Sequence, residues 1–311
     1  MTDYTYQYKV PLQTGDLSNQ NWDLFISAFS TAERVAGVFD RVIASRKDWL
    51  VHNEYGFEQA VIPSGAFQCN SLREDDYIME YFEGLDGFDY LSSRICVDVT
   101  GFMRPHMMYI VNYLKIKGVK KLDVIYTEPG HYSSLDQTLF SSEHVYEVRQ
   151  VAGYEGFSNN DTANDFLVVA AGYENRLISE VAEEKEKASK AVILGLPSLQ
   201  ADMYQQNALR AHAAADSLGD IKRRIFAPAN DPFATATILS QLIKDEEASQ
   251  PITNLFLSPL STKAQALGFS LFFLRECLHR PATIIYPFSR SYSPDSSSRI
   301  GRIWKYCLEL D

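Results

Sequence analysis

The chain lacks the glycine triplet of a dinucleotide-binding turn. Ser27-Ala28-Phe29-Ser30 and Ala171-Gly172-Tyr173 stand where a GxGxxG would follow the two candidate first strands, so a dinucleotide held in the usual strand-to-helix turn is not expected. P-loop, GxSxG and HExxH patterns are also missing, which removes support for hydrolysis by those routes. Cysteine is scarce. Cys69, Cys96, Cys277 and Cys307 form no CxxC and no Cys/His pair at zinc spacing, so buried thiols are expected and neither a metal nor a cofactor is. The longest nearly unbroken apolar run, Ala266 to Leu274, is too short to cross a bilayer, and the opening residues MTDYTYQYKV show no charged and then apolar leader. The expectation is a cytoplasmic chain with no membrane partner. Positive charge is in deficit as well: 29 Lys and Arg against 40 Asp and Glu give a formal net charge of −11. That balance argues against long nucleic acid and anionic membranes and leaves room for a small anion in a local basic pocket.

What is present is an alternating α/β pattern long enough, at 311 residues, for one large or two medium domains. Its most informative stretch is Ile95 to Lys115. Ile95, Cys96, Val97 and Val99 read as a strand covered on both faces. Thr100-Gly101 then supplies a hydroxyl and a residue without Cβ, so backbone N–H groups at the next helix start can approach a bound group. Arg104 sits just inside that helix, placed to close over an anion at the positive end of the dipole, and Pro105 suits a first turn.

Asp98-Val99-Thr100-Gly101-Phe102-Met103-Arg104-Pro105 resembles the strand-to-helix motif of CARF domains, a Rossmann-like sensor family whose usual form is Asn/Asp-x-Thr-Gly-Gly-Thr-Lys-Pro. Phe102 and Met103 replace the second glycine and the threonine, and Arg104 replaces the lysine with another cation. The resemblance implies that the loop holds the phosphodiester of a cyclic oligonucleotide in a sensor of antiviral defence. Tandem units in one chain resemble the SAVED arrangement, in which two such units serve one ligand and are normally joined to an effector. No effector fits in this chain after two units. Three possibilities stay open: a stand-alone sensor acting on a partner effector, a metal-independent ring nuclease, or an unrelated Rossmann-like enzyme. A homo-oligomer is also left open.

Taken in order, residues 1–21 read as an arm whose Tyr4, Tyr6 and Tyr8 are the plausible partner contact. Unit one is expected over 22–140, a crossover over 141–164 and unit two over 165–311. Within unit one, Asp23 to Phe29 is a strand followed by a Ser30/Glu33 capping box. Trp49 to His52 and Gln59 to Ile62 are further strands, Asp75 to Leu85 a helix, and Val119 to Tyr126 a strand ending in the loop Thr127-Glu128-Pro129-Gly130-His131-Tyr132. Unit two continues with strands at Asp165 to Ala171, Ala191 to Leu196, Arg224 to Ala227, Thr253 to Ser258 and Thr283 to Pro287. Helices over Arg176 to Ser189, Asp202 to Leu218, Pro232 to Lys244 and Thr262 to His279 fall between them. Glu183 with Lys187 and Glu186 with Lys190 read as solvated i,i+4 pairs.

The halves align with each other. Asp23 to Phe29 lies on Asp165 to Ala171, Cys96 to Arg104 lies without a gap on Leu255 to Lys263, and Asp123 to Tyr126 lies on Thr283 to Tyr286. The fold class expected is therefore α/β, with two Rossmann-like, mostly parallel doubly wound units related by internal duplication. Ligands in such sheets sit beyond the carboxyl ends of the strands. The candidates there are Ser27, Ser30, Thr31, Thr100, Gly101, Arg104, Glu128, Gly172, Glu174, Asn175, Asn230, Asp231, Ser258, Ser261, Thr262, Lys263, Ser289 and Arg290. Several have a plainer reading: Asp231 before Pro232 is a helix N-cap, Ser261-Thr262 is the same motif, and His106 reads as a surface or capping residue. His131 and Lys263 are the candidates for catalysis, with Arg104 as the second cation.

Overall fold

The structure, a computed structural model, describes residues 3–4, 7–132, 145–200, 203–293 and 297–311. The chain opens with β1 (Tyr8–Leu12), β2 (Trp22–Ala28), α1 (Glu33–Arg41), β3 (Ala44–Val51), β4 (Phe67–Gln68), α2 (Glu74–Glu83), β5 (Ile95–Asp98), α3 (Arg104–Ile116) and β6 (Lys121–Tyr132). It continues with β7 (Val145–Gln150), β8 (Phe166–Ala170), α4 (Asn175–Glu184), β9 (Ser189–Gly195), α5 (Met203–Ala213), α6 (Ala215–Leu218), β10 (Ile221–Ala227), α7 (Pro232–Ser249), β11 (Leu255–Pro259), α8 (Lys263–Phe272) and β12 (Ala282–Ser289). It closes with β13 (Ser297–Glu309).

These elements form two compact units. The first is Gln7–Glu143 with Arg290–Asp311, and the second is Met1–Tyr6 with His144–Ser289. The first unit holds a mixed sheet in the order β1-β13-β6-β5-β2-β3-β4, the second a mixed sheet in the order β10-β9-β8-β11-β12-β7. Both are mostly parallel with interleaved helices, so each unit is α/β. Numbered along the chain, the parallel strands β2 to β6 lie in the order 3-2-1-4-5, and β8 to β12 lie in that order too. In each unit the fifth strand also carries an antiparallel neighbour, β13 on β6 and β7 on β12.

Burial explains why these strands are central. β5 and β8 are buried along their whole length, as apolar runs covered on both faces must be. In the first unit Trp22 and Phe25 stack at 5.7 Å and join Leu17, Val38, Ile125 and Ile303 in one apolar cluster.

Several expectations are corrected. The loop expected at 127–132 belongs to β6, because β13 pairs with it antiparallel from Ser297↔Tyr132 to Glu309↔Lys121. Pro129 is accommodated opposite Ile300 beside a register irregularity, where a missing ladder donor is tolerated. The expected boundary of 165–311 therefore departs from the compact units, since the last strand completes the first sheet. Residues 8–12 are likewise strand, pairing with β13, not arm. Tyr4 is 3 % exposed and donates its hydroxyl to Glu276 Oε1 at 3.0 Å, so it is not a free contact; Tyr6 lies outside the described residues.

The Ser30/Glu33 capping box does not form. The N-cap of α1 is Ala32, and Ser30 Oγ accepts from the Ala32 N–H at 3.2 Å instead, a local turn that competes with capping. Residues 59–62 form a turn, and the short edge strand is β4. α4 stops at Glu184, so Lys190 lies on β9 and not on a helix face, and its Nζ donates to the carbonyls of Glu186 and Ala188 at 2.8 and 3.1 Å. The start of the expected crossover, 141–144, lies outside the described residues. All four cysteines are free thiols, Cys69, Cys96 and Cys277 buried and Cys307 partly so.

Candidate functional site

In the first unit the strand order reverses between β2 and β5, and the ends of those strands are bound together by side chains. Ser27 Oγ donates to Asp98 Oδ2 at 3.0 Å. Asp98 Oδ1 accepts the Thr100 N–H at 3.0 Å, and Thr100 Oγ1 accepts the Thr127 N–H at 2.9 Å. Asp98 is fully buried, so these bonds satisfy a carboxyl group that would otherwise be costly there. Ser27 and Thr100 thus act as struts across β2, β5 and β6.

Gly101 serves the same junction. A Cβ at this position would lie 2.3 Å from the Ala28 carbonyl oxygen, so the glycine is required by the contact between the loop and the end of β2. Its own carbonyl accepts the Tyr55 hydroxyl at 2.9 Å.

Two cations stand at the starts of the flanking helices. Arg104 is the first residue of α3 and Arg34 the second of α1, so both lie at positive dipole ends. Arg34 Nη1 donates to the Thr127 carbonyl at 3.0 Å, while its buried Nε has no hydrogen-bond partner among the described residues. Tyr126, on β6 and 4 % exposed, reports on both cations. Burial pushes its phenol up, the Arg34 and Arg104 guanidiniums oppose the rise, and Glu128 adds to it. Glu128 is 3 % exposed and held by Arg302 Nε at 2.8 Å and Trp304 Nε1 at 2.7 Å. Its carboxylate is engaged by β13 and is not a loop group. Ser30 is buried and Thr31 exposed in the turn before α1. His131 lies on β6 with its backbone opposite Ser298, and its side chain lies outside the described residues.

In the second unit the reversal falls between β8 and β11. Gly172 takes the close approach here, for a Cβ would lie 2.1 Å from the Leu260 carbonyl oxygen. Thr262 is the N-cap of α8, accepting from the Gln265 N–H at 3.2 Å and donating to the Ala229 carbonyl at 2.5 Å. Gln265 Nε2 donates to the Ala227 carbonyl at 3.1 Å. Thr262 and Gln265 therefore hold the turn containing Asn230 and Asp231 against the start of α8. Asp231 caps α7, accepting from the Phe233 and Ala234 N–H groups at 3.0 Å each, as its sequence setting implies. Lys263 is the first residue of α8 and Arg176 the second of α4. Glu174 is the buried N-cap residue of α4, and its side chain makes no capping bond. Ser258 and Ser261 are buried in β11 and the following turn.

The candidates thus separate by unit: Ser27, Ser30, Thr31, Thr100, Gly101, Arg104, Glu128 and His131 in the first, together with Arg290, and the rest in the second. Sequence reasoning missed Arg34 and Tyr126. The signal existed, for Arg34 is as far from Asp23 as Arg176 is from Asp165, and extending that alignment by one helix turn pairs the two arginines. It also misplaced His106, which is 2 % exposed and packed at 4.5 Å against the fully buried His52 ring.

Elsewhere in the second unit, an open cleft of about 480 Å³ lies at the amino ends of the strands, lined by Asp165, Lys185, Ala188, Asn254 and Phe256 among others. Among the described residues, no group of three His, Cys, Asp or Glu side chains is placed to hold a metal ion, and no helix is long and apolar enough to cross a membrane. No family model, no curated protein and no solved structure matches the chain.

Proposed function

We propose that the chain is a binding module for a phosphate-bearing nucleotide, with an anion site at the strand reversal of each unit. The observation that carries this reading is that Arg34 and Arg104, each at the start of a helix in the first unit, both act electrostatically on the buried Tyr126 phenol. An anion there gains helix-start N–H groups, two guanidiniums and a phenol donor in one place. Charge-assisted bonds of this type contribute about 1.5–3 kcal/mol each. Arg176 and Lys263 occupy the corresponding helix starts of the second unit, and Tyr286 the fifth strand. The shared strand order and these matched positions support the reading of two copies of one Rossmann-like unit. The resemblance of Asp98 to Pro105 to the CARF motif extends the proposal to a cyclic oligonucleotide as ligand and a partner effector as recipient of the signal.

Calorimetry against cyclic and linear nucleotides tests it. Binding that weakens at least tenfold in Arg34→Ala and in Arg104→Ala is the expected result; no binding, or affinity unchanged in both, contradicts it. A second reading, a metal-independent ring nuclease, draws on the same groups, with a cation stabilising the charge that develops as a ribose 2′-hydroxyl attacks its phosphate. Incubation with a bound cyclic nucleotide in EDTA separates the two: linear products that vanish in Lys263→Ala identify the nuclease, and intact ligand identifies the sensor.

A further inference from the structure

Behind the Thr100–Arg104 loop lies a group of buried acid–base side chains that the anion site does not use directly. His52 follows β3, and His106 is the third residue of α3. Their rings meet edge to face at 4.5 Å. Tyr77 of α2 stacks on His52 at 5.3 Å and meets His106 edge-on at 5.2 Å. Phe102, in the loop itself, packs edge-on against His52 at 5.5 Å. Tyr55 touches His52 at 5.8 Å and donates to the Gly101 carbonyl. Two carboxyl groups complete the set, Glu54 beside Tyr55 and Glu74 at the start of α2, both buried. Burial pushes the Glu54 carboxyl up to about 7, with Glu74 adding to the rise. Burial also drives the Tyr77 phenol well up, with Glu54 and Cys69 contributing.

Two imidazoles in edge-to-face contact at 4.5 Å do not both carry charge cheaply. A cationic His106 is further disfavoured in the first turn of α3, at the positive end of the dipole and two residues from Arg104. An anion bound at that helix start reverses the balance. It favours protonated imidazole, and it favours the neutral form of Glu54 for the same electrostatic reason. The loop that carries the anion site rests directly on these rings, so the coupling has a short physical path.

We propose that anion binding in the first unit is proton-linked: the His52, His106 and Glu54 group takes up a proton when an anion occupies the Arg34–Arg104 site, so affinity rises as pH falls. The proposal rests on the anion-site reading above and adds its regulation. The sign follows from linkage. The bound state holds more protons than the free state, so lowering pH drives binding, by at most about tenfold per pH unit for each proton taken up.

The test uses sulfate and adenosine 3′,5′-cyclic monophosphate, neither of which titrates between about pH 6 and about pH 8, the window in which histidine changes charge. Affinity is measured across that window, with calorimetry in two buffers of different ionisation enthalpy to count the protons taken up. The expected result is several-fold tighter binding at the low end, with proton uptake that shrinks in His106→Asn and in Glu54→Gln; the glutamine keeps the shape of the neutral carboxyl where the histidine change disturbs folding. Binding of equal affinity at both ends of the window, or without proton uptake, overturns the linkage and leaves the anion site standing. Absence of binding at every pH overturns the anion site and the linkage with it.

Discussion

Gly101 faces the carbonyl oxygen of Ala28 so closely that a Cβ would lie 2.3 Å from it. The obstacle is backbone, which cannot rotate away as a side chain would.

Gly101→Ala is therefore expected to separate the loop from the end of β2, at a cost of about 2–3 kcal/mol. Urea unfolding checks the stability. The companion measurement is anion affinity, because displacement of the loop also moves Arg104. A variant as stable as the parent would show that the loop shifts freely.

Asp98 joins two strand ends through Ser27 Oγ and the Thr100 N–H. Asp98→Ala removes the carboxylate that both buried donors use, which is expected to cost about 2–5 kcal/mol in all. The loss should be smaller in Ser27→Ala, which removes one donor together with its need. Chemical denaturation of the two variants gives the comparison, and equal losses would contradict the strut role of Asp98.

Glu54 gives a prediction with a definite sign. Its carboxyl is raised from 4.5 to about 7 in the folded protein, so the folded state holds the proton more tightly than the unfolded chain. Stability from this group is complete below the unfolded value and is lost as pH rises through the folded one. Glu54→Gln should match the parent in acid and exceed it in mild alkali, by up to about 3 kcal/mol. Thermal unfolding followed across that range reads the difference, and parallel curves for the two proteins would refute it.

The closing strand is expected to be indispensable to the first unit. Ending the chain after Ser289 removes β13, which pairs with both β1 and β6 and supplies Arg302 and Trp304 to the buried Glu128. The exposed edge of β6 and a buried carboxylate deprived of Arg302 and Trp304 should make Gln7–Glu143 sensitive to protease and prone to association. Limited proteolysis with mass mapping tests this; protection of β6 in the shortened chain would count against it. The milder Trp304→Phe, which takes one donor from Glu128, is expected to cost about 1–3 kcal/mol.

Much of the alternating order was legible because it is a local property. The run Ile95 to Val99, the Thr-Gly turn and the apolar face of α3 are set by neighbours a few residues apart, and β5 and α3 stand where that pattern places them. The caps at Asp231 and Thr262 were legible for the same reason. The Ser30/Glu33 box failed because Ser30 had a competing local bond to Ala32, an alternative of similar energy that composition does not rank.

The sequence by itself determined the α/β class, the cations Arg104 and Lys263 at two helix starts and the absence of a glycine-rich dinucleotide turn, because each depends on residues within one strand-helix unit. Tertiary structure decided the rest. It decided that Thr127 to Tyr132 is strand and that Glu128 is engaged by Arg302 and Trp304, since their partner strand comes from the far end of the chain. It set Gly101 against the end of β2, placed Arg34 within electrostatic reach of Tyr126, and buried His106 against His52. Each of these is a contact between residues remote in sequence, and no local periodicity encodes which remote surface a side chain will meet.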